Sequence, residues 1–370
     1  MNREDFLYFE NNPNIIYFDN AATSLKPKVV VDKITEYYNK NSYNINRGIY
    51  KGANLISKEV NDAKKTVKEF LNAKNIDNIY FTSGATESSK ILSEIFKNIL
   101  NSNDEILLSK KDHISTIKPF IDKFSNIKEI LIDKKDIDYD EEDLYKKINK
   151  NTKLVILTYI HNLYGYDMGL NYIIPKIREL TDAYIIVDAS QAVGHLNVDV
   201  EKLDIDALYF SGHKMFSETG IGVLYMNDRL NSLSTYDFSL GTPHISGILS
   251  LKEAINYINN IGIEKIEDQV KNLTSYLKEK LKQIEELDGH MGIMRLSCRL
   301  GYGIISFKIK NHDEREVASV LSDYNIYVRS DNQCNYDNKN YIRVSLHFYN
   351  TKEEIDRFIN ILTNIVKERV

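Results

Sequence analysis

Three short apolar runs in the sequence each lead directly into residues that can bind an anion, carry a proton or form a covalent bond. One run ends in DASQ at 188–191, a second in SGHK at 211–214, and the earliest in SGATE at 83–87. In an open, mostly parallel sheet, ligands bind at the carboxyl ends of the strands. We therefore expect a ligand-binding site at these three strand ends.

Lys214 and Asp188 have the side chains with the most specific chemistry in this group. A lysine desolvated at a strand end has a lowered pKa and can form a Schiff base with an aldehyde cofactor. A lone lysine more often lies at the surface with its ammonium in water. An aspartate beside a pyridine ring would favour the protonated nitrogen, although aspartate after a strand is most often a turn residue. Neither residue by itself distinguishes a role in cofactor chemistry from these more common structural roles.

The segment 83–87 is a Gly-Thr junction between a strand and a helix. Free backbone N–H groups and the positive helix terminus of such a junction suit an anion such as phosphate. Many junctions of this kind only cap the helix, so the motif by itself is weak.

The elements that must position these residues alternate along the chain. Apolar spacing predicts a helix over 86–100, and strands alternating with helices indicate a mostly parallel sheet covered on both faces. After about residue 250, a long amphipathic helix over 266–287 and a final helix opened by a capping box at 351–354 indicate a smaller α+β domain. The strand candidates of the larger part are 79–82, 105–109, 129–132, 154–159, 184–187, 207–210 and 223–226, and those of the smaller part are 304–307 and 341–345.

Composition excludes several classes of function. The 370 residues include 48 Lys+Arg and 53 Asp+Glu, a formal net charge of −5, which argues against a general nucleic-acid binder. Two cysteines, Cys298 and Cys334, exclude a disulfide framework and a CxxC-type zinc site. The first residues lack the apolar core of a signal peptide and no run of about 18 apolar residues occurs, so we expect a cytoplasmic protein outside the membrane.

Together, the motifs resemble the pyridoxal 5'-phosphate (PLP) enzymes of fold type I, and among them the cysteine desulfurase and selenocysteine lyase family of class V aminotransferases. DASQAV at 188–193, DALYFSGHK at 206–214 and TGIGVLY at 219–225 carry the resemblance, which begins at YFDNAA (17–22) and ends near residue 354. It implies an α/β fold with a mostly parallel seven-stranded sheet in a large PLP-binding domain, 15–260. Residues 1–14 and 261–370 would form a small α+β domain that carries the candidate catalytic cysteine.

The resemblance also implies a role for each matching residue on the cofactor side. Lys214 would form the Schiff base with PLP, Asp188 would contact the pyridinium nitrogen, and Gln191 the phenolic oxygen. His113 would stack on the ring and assist proton transfer, and Asn162 would lie near the substrate and the ring oxygen. The implied phosphate-binding residues are Ala85, Thr86, Ser211 and His213, with Thr242 reaching the phosphate from the partner subunit of a homodimer.

On the substrate side, the resemblance makes Cys334 the persulfide-forming residue and Arg343 the residue that binds the substrate carboxylate. Arg329 lies five positions before Cys334 and could help to lower its pKa or bind substrate. A free cysteine is more often a small buried hydrophobic residue, and Cys298 fits that interpretation better.

The sequence departs from the family pattern on the same side. The bridge 227–239 and the segment 335–342 are shorter than usual, and Asn332 and Gln333 replace paired histidines. Ile114 stands where a second histidine is common, and Lys90 where asparagine is common. None of these changes falls on the implied cofactor residues, so substrate choice is the property that they affect.

The function expected from the sequence is removal of sulfur from L-cysteine as a Cys334 persulfide, with release of alanine. The sulfur would pass to an iron–sulfur scaffold or another acceptor protein. Two alternatives stay open: another class V reaction, as in an aminotransferase or a selenocysteine lyase, and a degenerate desulfurase that acts as a sulfur-relay partner.

Overall fold

The computed structural model of the chain describes residues 3–45, 48–132, 138–239, 241–288, 301–309, 311–330 and 340–368. Its strands are β1 (Ile16–Tyr17), β2 (Ile79–Thr82), β3 (Glu105–Leu108), β4 (Ile127–Glu129), β5 (Thr152–Thr158), β6 (Tyr184–Asp188), β7 (Ala207–Ser211), β8 (Gly222–Met226), β9 (Ile304–Phe307), β10 (Ile326–Tyr327) and β11 (Ile342–Ser345).

Helices lie between most of these strands. They are α1 (Leu7–Asn11), α2 (Lys28–Lys40), α3 (Lys51–Phe70), α4 (Ala85–Ile99), α5 (Ile114–Ile121), α6 (Glu141–Lys147), α7 (Leu170–Leu180), α8 (Val200–Leu203), α9 (Asp228–Asn231), α10 (Ile245–Ile261), α11 (Ile263–Asp288), α12 (Glu314–Asp323) and α13 (Lys352–Glu368).

A seven-stranded sheet forms the centre of the fold, in the order β2-β8-β7-β6-β5-β3-β4. The pairs from β7 through to β4 are parallel, whereas β8 runs antiparallel to both β7 and β2. Strands β5 and β6 are aliphatic and buried on both faces, which is typical of a parallel sheet covered by helices. The predicted mostly parallel α/β fold is confirmed.

The register of the central strands places their carboxyl ends side by side. Thr158 of β5 pairs with Asp188 of β6, and Asp188 pairs in turn with Tyr209 of β7. The residues that follow these strands therefore meet at one edge of the sheet.

One predicted strand is displaced along the chain. The strand expected over 129–132 begins earlier, and β4 ends at Glu129. Ile127 of this edge strand pairs with Ile106, and after one more backbone bond, from Ile130 to Leu108, the chain leaves the sheet. Ile130 follows the strand and is buried in the core, so the apolar run extends beyond the hydrogen-bonded residues. A prediction based on apolar residues alone therefore placed the strand too late in the sequence.

The last third of the chain packs around a second, smaller sheet. Strand β11 pairs antiparallel with β9, and helices α11, α12 and α13 pack on this pair. The predicted capping box is confirmed: Thr351 Oγ1 accepts from the Glu354 N–H at 3.2 Å, and Glu354 Oε2 accepts from the Thr351 N–H at 3.1 Å.

The boundary between the two domains stays a prediction. The turn at Gly262, between α10 and α11, lies next to the boundary expected at 260. The first residues also contact the large part, since the Phe6 ring lies 6.1 Å from Phe216 and 6.0 Å from Tyr257.

Candidate active site

A cavity of about 250 Å³ opens at the carboxyl edge of β5, β6 and β7, next to the first turn of α4. It lies near the lower end of the size range of small-molecule sites. Eleven of the site residues predicted from the sequence line it: Ala85, Thr86, His113, Asn162, Asp188, Gln191, Ser211, His213, Lys214, Arg329 and Arg343.

Of the other two predicted residues, Thr242 lies elsewhere and Cys334 is outside the described residues. Thr242 lies in a separate cavity beside Phe81 and Phe238, where its Oγ1 accepts from Asn44 Nδ2 at 3.3 Å. Cys334 lies outside the described residues, as do Cys298, Asn332 and Gln333.

The amino end of α4 forms one wall of the cavity. Gly84 precedes the helix with φ +149°, a conformation that glycine adopts without a side-chain clash. The Ala85 N–H donates to Ser211 Oγ at 2.9 Å, which connects the helix start to the end of β7. This 15-residue helix directs its positive end towards the cavity, where an anion is favoured.

Asp188 is held in place from two directions at the end of β6. It is 5% exposed, and Oδ1 accepts from the Ser190 N–H at 2.9 Å while Oδ2 accepts from Thr116 Oγ1 at 2.5 Å. Two fixed donors leave the carboxylate one orientation, with an edge towards the cavity. A carboxylate fixed in this way can stabilise a positive nitrogen of a ligand.

His113 caps the amino end of α5 and faces the same cavity. Its Nδ1 accepts from the Ser115 N–H at 3.2 Å and lies 2.7 Å from Ser115 Oγ. Burial, followed by the charge of Lys214, lowers the pKa of His113 to about 4, against a smaller opposing effect of Asp188. The ring is therefore neutral near pH 7. With Nδ1 accepting, its proton is assigned to Nε2.

Gln191 follows Asp188 by three positions and is 4% exposed. Its Nε2 donates to the Ala21 carbonyl at 2.9 Å, so the segment 21–22 forms part of the cavity wall. An amide nitrogen carries two hydrogens, and the second is available to an oxygen of a ligand.

Arg343 and Arg329, which also line the cavity, converge on the carboxylate of Asp19. Arg329 donates to both oxygens of Asp19, at 3.2 Å and 2.9 Å, and Arg343 Nη2 lies 3.4 Å from Asp19 Oδ1. Arg343 Nη1 also donates to the Asn162 carbonyl at 3.1 Å. The arginines bond through their backbones as well, at 2.7 Å and 3.1 Å. Both guanidinium groups also line the cavity, where a guanidinium suits the carboxylate of a ligand.

The residues that contact and orient the side chains lining the cavity were not identified from the sequence. Thr116 contacts Asp188, and Asp19 contacts the arginines. The wholly buried Asp112 accepts a hydrogen bond from Tyr139 Oη at 2.9 Å. Burial raises the pKa of Asp112 to about 8. Asp112 precedes His113 and Thr116 follows it by three positions, so their nearness in sequence was the available signal.

A family model described as aminotransferase class-V matches residues 16–358. The chain belongs to the aminotransferase class-V family. Among curated members, a probable cysteine desulfurase of Borreliella burgdorferi is 34% identical, with 97% of this chain and 93% of the relative covered. A cysteine desulfurase of Wigglesworthia glossinidia brevipalpis is 30% identical, with 96% and 94% covered.

Solved structures are also similar to this chain. A cysteine desulfurase from Thermococcus onnurineus has a TM-score of 0.90 at 30% identity, with 99% of this chain and 97% of that chain covered. The structure of a C-DES mutant with glycine covalently linked to its PLP cofactor has a TM-score of 0.84 at 20% identity, with 98% and 99% covered. This second neighbour shows a likeness of fold.

Proposed function

We propose that the chain is a PLP-dependent cysteine desulfurase, which removes sulfur from L-cysteine and releases alanine. The observation that carries the proposal is a single cavity lined by Lys214, Asp188, Gln191 and His113 together with two arginines. The curated relatives named as cysteine desulfurases support this reaction over others on the same fold.

The residues present fit the cofactor. Its phosphate suits the first turn of α4 with Ser211 and His213, because these groups offer donors and a positive helix end. Ser190 Oγ is buried at this cavity and has no hydrogen-bond partner among the described residues, which points to a polar ligand. Asp188 would bind the ring nitrogen, and Gln191 the phenolic oxygen.

When bound, PLP supplies an electron sink that stabilises negative charge on the carbon it activates. The chain's own residues provide the rest. Lys214 would hold the cofactor covalently and would then carry the Cα proton of the substrate. His113, which is neutral near pH 7, would lie against the ring and could exchange a proton at Nε2.

The substrate carboxylate would bind between the arginines. Arg343 is 4% exposed and its guanidinium is desolvated, which strengthens a charge-assisted pair. Arg329 is held by Asp19 and lies at the start of the segment that leads to Cys334. Asn162 is the proposed contact to the rest of the substrate.

Cys334 is the proposed sulfur acceptor. Its thiolate attacks the substrate sulfur, an S–S bond forms and the C–S bond breaks. The electron pair of that bond stays with the substrate carbon, which takes up a proton and leaves as alanine. The persulfide sulfur then passes to a thiol, an iron–sulfur scaffold or another acceptor protein.

We also propose a homodimer. Thr242 does not reach the cavity of its own chain, so a role at the phosphate requires delivery to a partner's site. Large apolar side chains cluster in sequence near Asn44, which contacts Thr242: Tyr38 is 56% exposed, Ile49 97% and Tyr50 52%. Burial of such side chains in a subunit interface would remove apolar area from water.

Within the described part of the chain, no helix has the length and apolarity to cross a membrane. The cytoplasmic location suggested by composition stays a prediction.

The function is tested with purified protein, PLP, L-cysteine and a thiol reductant. We expect sulfide and alanine in equal amounts. A keto acid as the main product from any of a set of amino acids would favour an aminotransferase, and a strong preference for selenocysteine would favour a lyase of that substrate. Protein that stays colourless with added PLP would support the degenerate, sulfur-relay alternative.

A further inference from the structure

The carbonyl oxygen of His213, in the peptide bond that precedes Lys214, faces four donors from one short segment. The Ser24 N–H lies at 2.9 Å, Thr23 Oγ1 at 3.1 Å, Ser24 Oγ at 3.2 Å and Lys26 Nζ at 3.1 Å. A carbonyl oxygen has two lone pairs, so four donors are more than the backbone of a short helical turn requires.

Lys26 is the charged member of this group. Its Nζ lies 2.9 Å from Thr23 Oγ1 and also contacts the Ser24 carbonyl, so its neighbours are neutral oxygens. Among the described residues, no carboxylate lies within the ion-pair distance of 4.0 Å, and burial lowers the pKa of Lys26 to about 8. Burying an ammonium is costly, which argues against a purely space-filling role.

The same segment also holds the turn that follows Lys214. Phe216 has φ +74°, a left-handed conformation that is an outlier for a bulky side chain. Its N–H donates to Ser24 Oγ at 2.7 Å. Residues 213–216 are therefore held before and after Lys214 by residues 23–26, more than 180 positions earlier in the chain.

We propose that Lys26 is a positioning residue for Lys214: its ammonium holds the His213 carbonyl and thereby fixes the direction in which the Lys214 side chain leaves the backbone. The proposal rests on the function proposed above, in which Lys214 bears the cofactor. No contact between Lys26 and the cofactor or the substrate is part of it.

The position of Lys26 also has an electrostatic consequence. Its charge, together with that of Lys214, lowers the pKa of the His213 imidazole, after the larger effect of burial. The charged and titratable groups that act on this region are Lys26, Lys214, His213, His195, His113, Asp188 and Arg343. Loss of the Lys26 charge favours the protonated form of basic nitrogens nearby.

The experiment compares Lys26→Met, Lys26→Arg and the control Lys28→Met. Lys28 lies two positions away and pairs with Asp32, and its side chain is 54% exposed. Each variant is measured in two states. In the PLP-free protein, hydrogen–deuterium exchange is followed over 211–217. In the loaded protein, the pH midpoint of the visible band of Lys214-bound cofactor is titrated, and kcat and KM for cysteine are determined.

For Lys26→Met we expect faster exchange over 211–217 and a midpoint at least about half a pH unit higher, because a nearby positive charge is lost. We expect kcat to fall about tenfold or more with KM within about twofold, since proton transfer by Lys214 depends on its geometry. Lys26→Arg should restore the midpoint and most of kcat, and Lys28→Met should match the unchanged chain.

A wild-type midpoint and kcat in Lys26→Met would overturn the proposal. So would a fall in thermal stability without a change in midpoint, or a failure of Lys26→Arg to restore either quantity, because both would indicate a structural role alone. If the unchanged chain releases neither sulfide nor alanine, the proposed function fails, while exchange over 211–217 in the PLP-free protein still decides whether Lys26 holds this segment.

Discussion

The two walls of the cavity differ in how firmly their residues are held. On the cofactor side, Asp188 is 5% exposed and receives donors from two separate elements. On the substrate side, Arg343 is similarly buried, at 4% exposed, whereas the Arg329 side chain is 42% exposed.

The difference follows from what each wall must do. A buried carboxylate between strands allows one geometry, so a change there costs both packing and cofactor binding. An exposed arginine at the edge of the cavity can be re-oriented or replaced at small structural cost. We therefore expect substitutions at this site to change substrate choice more readily than cofactor chemistry.

Replacement of Lys214 should break the cofactor side completely. Lys214→Ala removes the amine that binds PLP covalently and moves the substrate proton, so sulfide release should fall about 10³-fold or more. The absorption band of Lys214-bound cofactor should be absent, and borohydride should no longer fix PLP to the chain. A retained band would contradict the assignment of Lys214.

Replacement of Cys334 should abolish sulfur transfer and leave cofactor binding intact. Cys334→Ala should retain the cofactor spectrum of the unchanged chain, whereas sulfide release should fall about 10²-fold or more because the nucleophile is gone. Mass spectrometry after exposure to cysteine should find one added sulfur on the Cys334 peptide. Cys298→Ala is the matched control, and equal loss in both variants would argue against a specific role for Cys334.

Substitutions of the two arginines test whether the more buried one contributes more to substrate binding. Arg343→Lys replaces a buried planar donor by a point charge, so KM for cysteine should rise about tenfold or more with a smaller change in kcat. Arg329→Lys should raise KM less, because its side chain is more exposed. A larger effect at Arg329 than at Arg343 would reverse the order of the two contacts.

The smallest expected effect is a pH dependence of folding stability. Burial lowers the pKa of His195, behind Lys214, to about 4. The folded state therefore stays neutral where the unfolded chain, with a pKa near 6.5, takes up a proton. This contribution to stability is complete above pH 6.5 and is lost as the pH falls towards 4, by up to about 1.4 kcal/mol per pH unit.

His195→Gln should reduce that slope, measured as the difference in unfolding free energy between the PLP-free proteins from pH 4 to 7. The raised pKa of Asp112 acts in the opposite direction between pH 4 and 8, which is why the comparison uses two chains rather than one curve. Parallel stability curves for the two chains would contradict a neutral buried His195.

Much of the cofactor side could be predicted from the sequence. Asp188, Gln191 and Lys214 follow apolar runs whose length and composition indicate parallel strands, and parallel strands bring their carboxyl ends together. The local pattern indicated a mostly parallel sheet, and the family resemblance implied its seven strands. The one misplaced strand, 129–132, was an edge strand whose apolar residues extend beyond its hydrogen bonds.

The tertiary structure decided which residues support that chemistry. Thr116 reaches Asp188 across 72 positions, Lys26 reaches the His213 carbonyl across 187, and Arg329 reaches Asp19 across 310. Hydrophobic periodicity determines the elements of the chain and the faces they bury. The direction of one side chain towards a partner on a distant element depends on how those elements pack, and no local spacing specifies it.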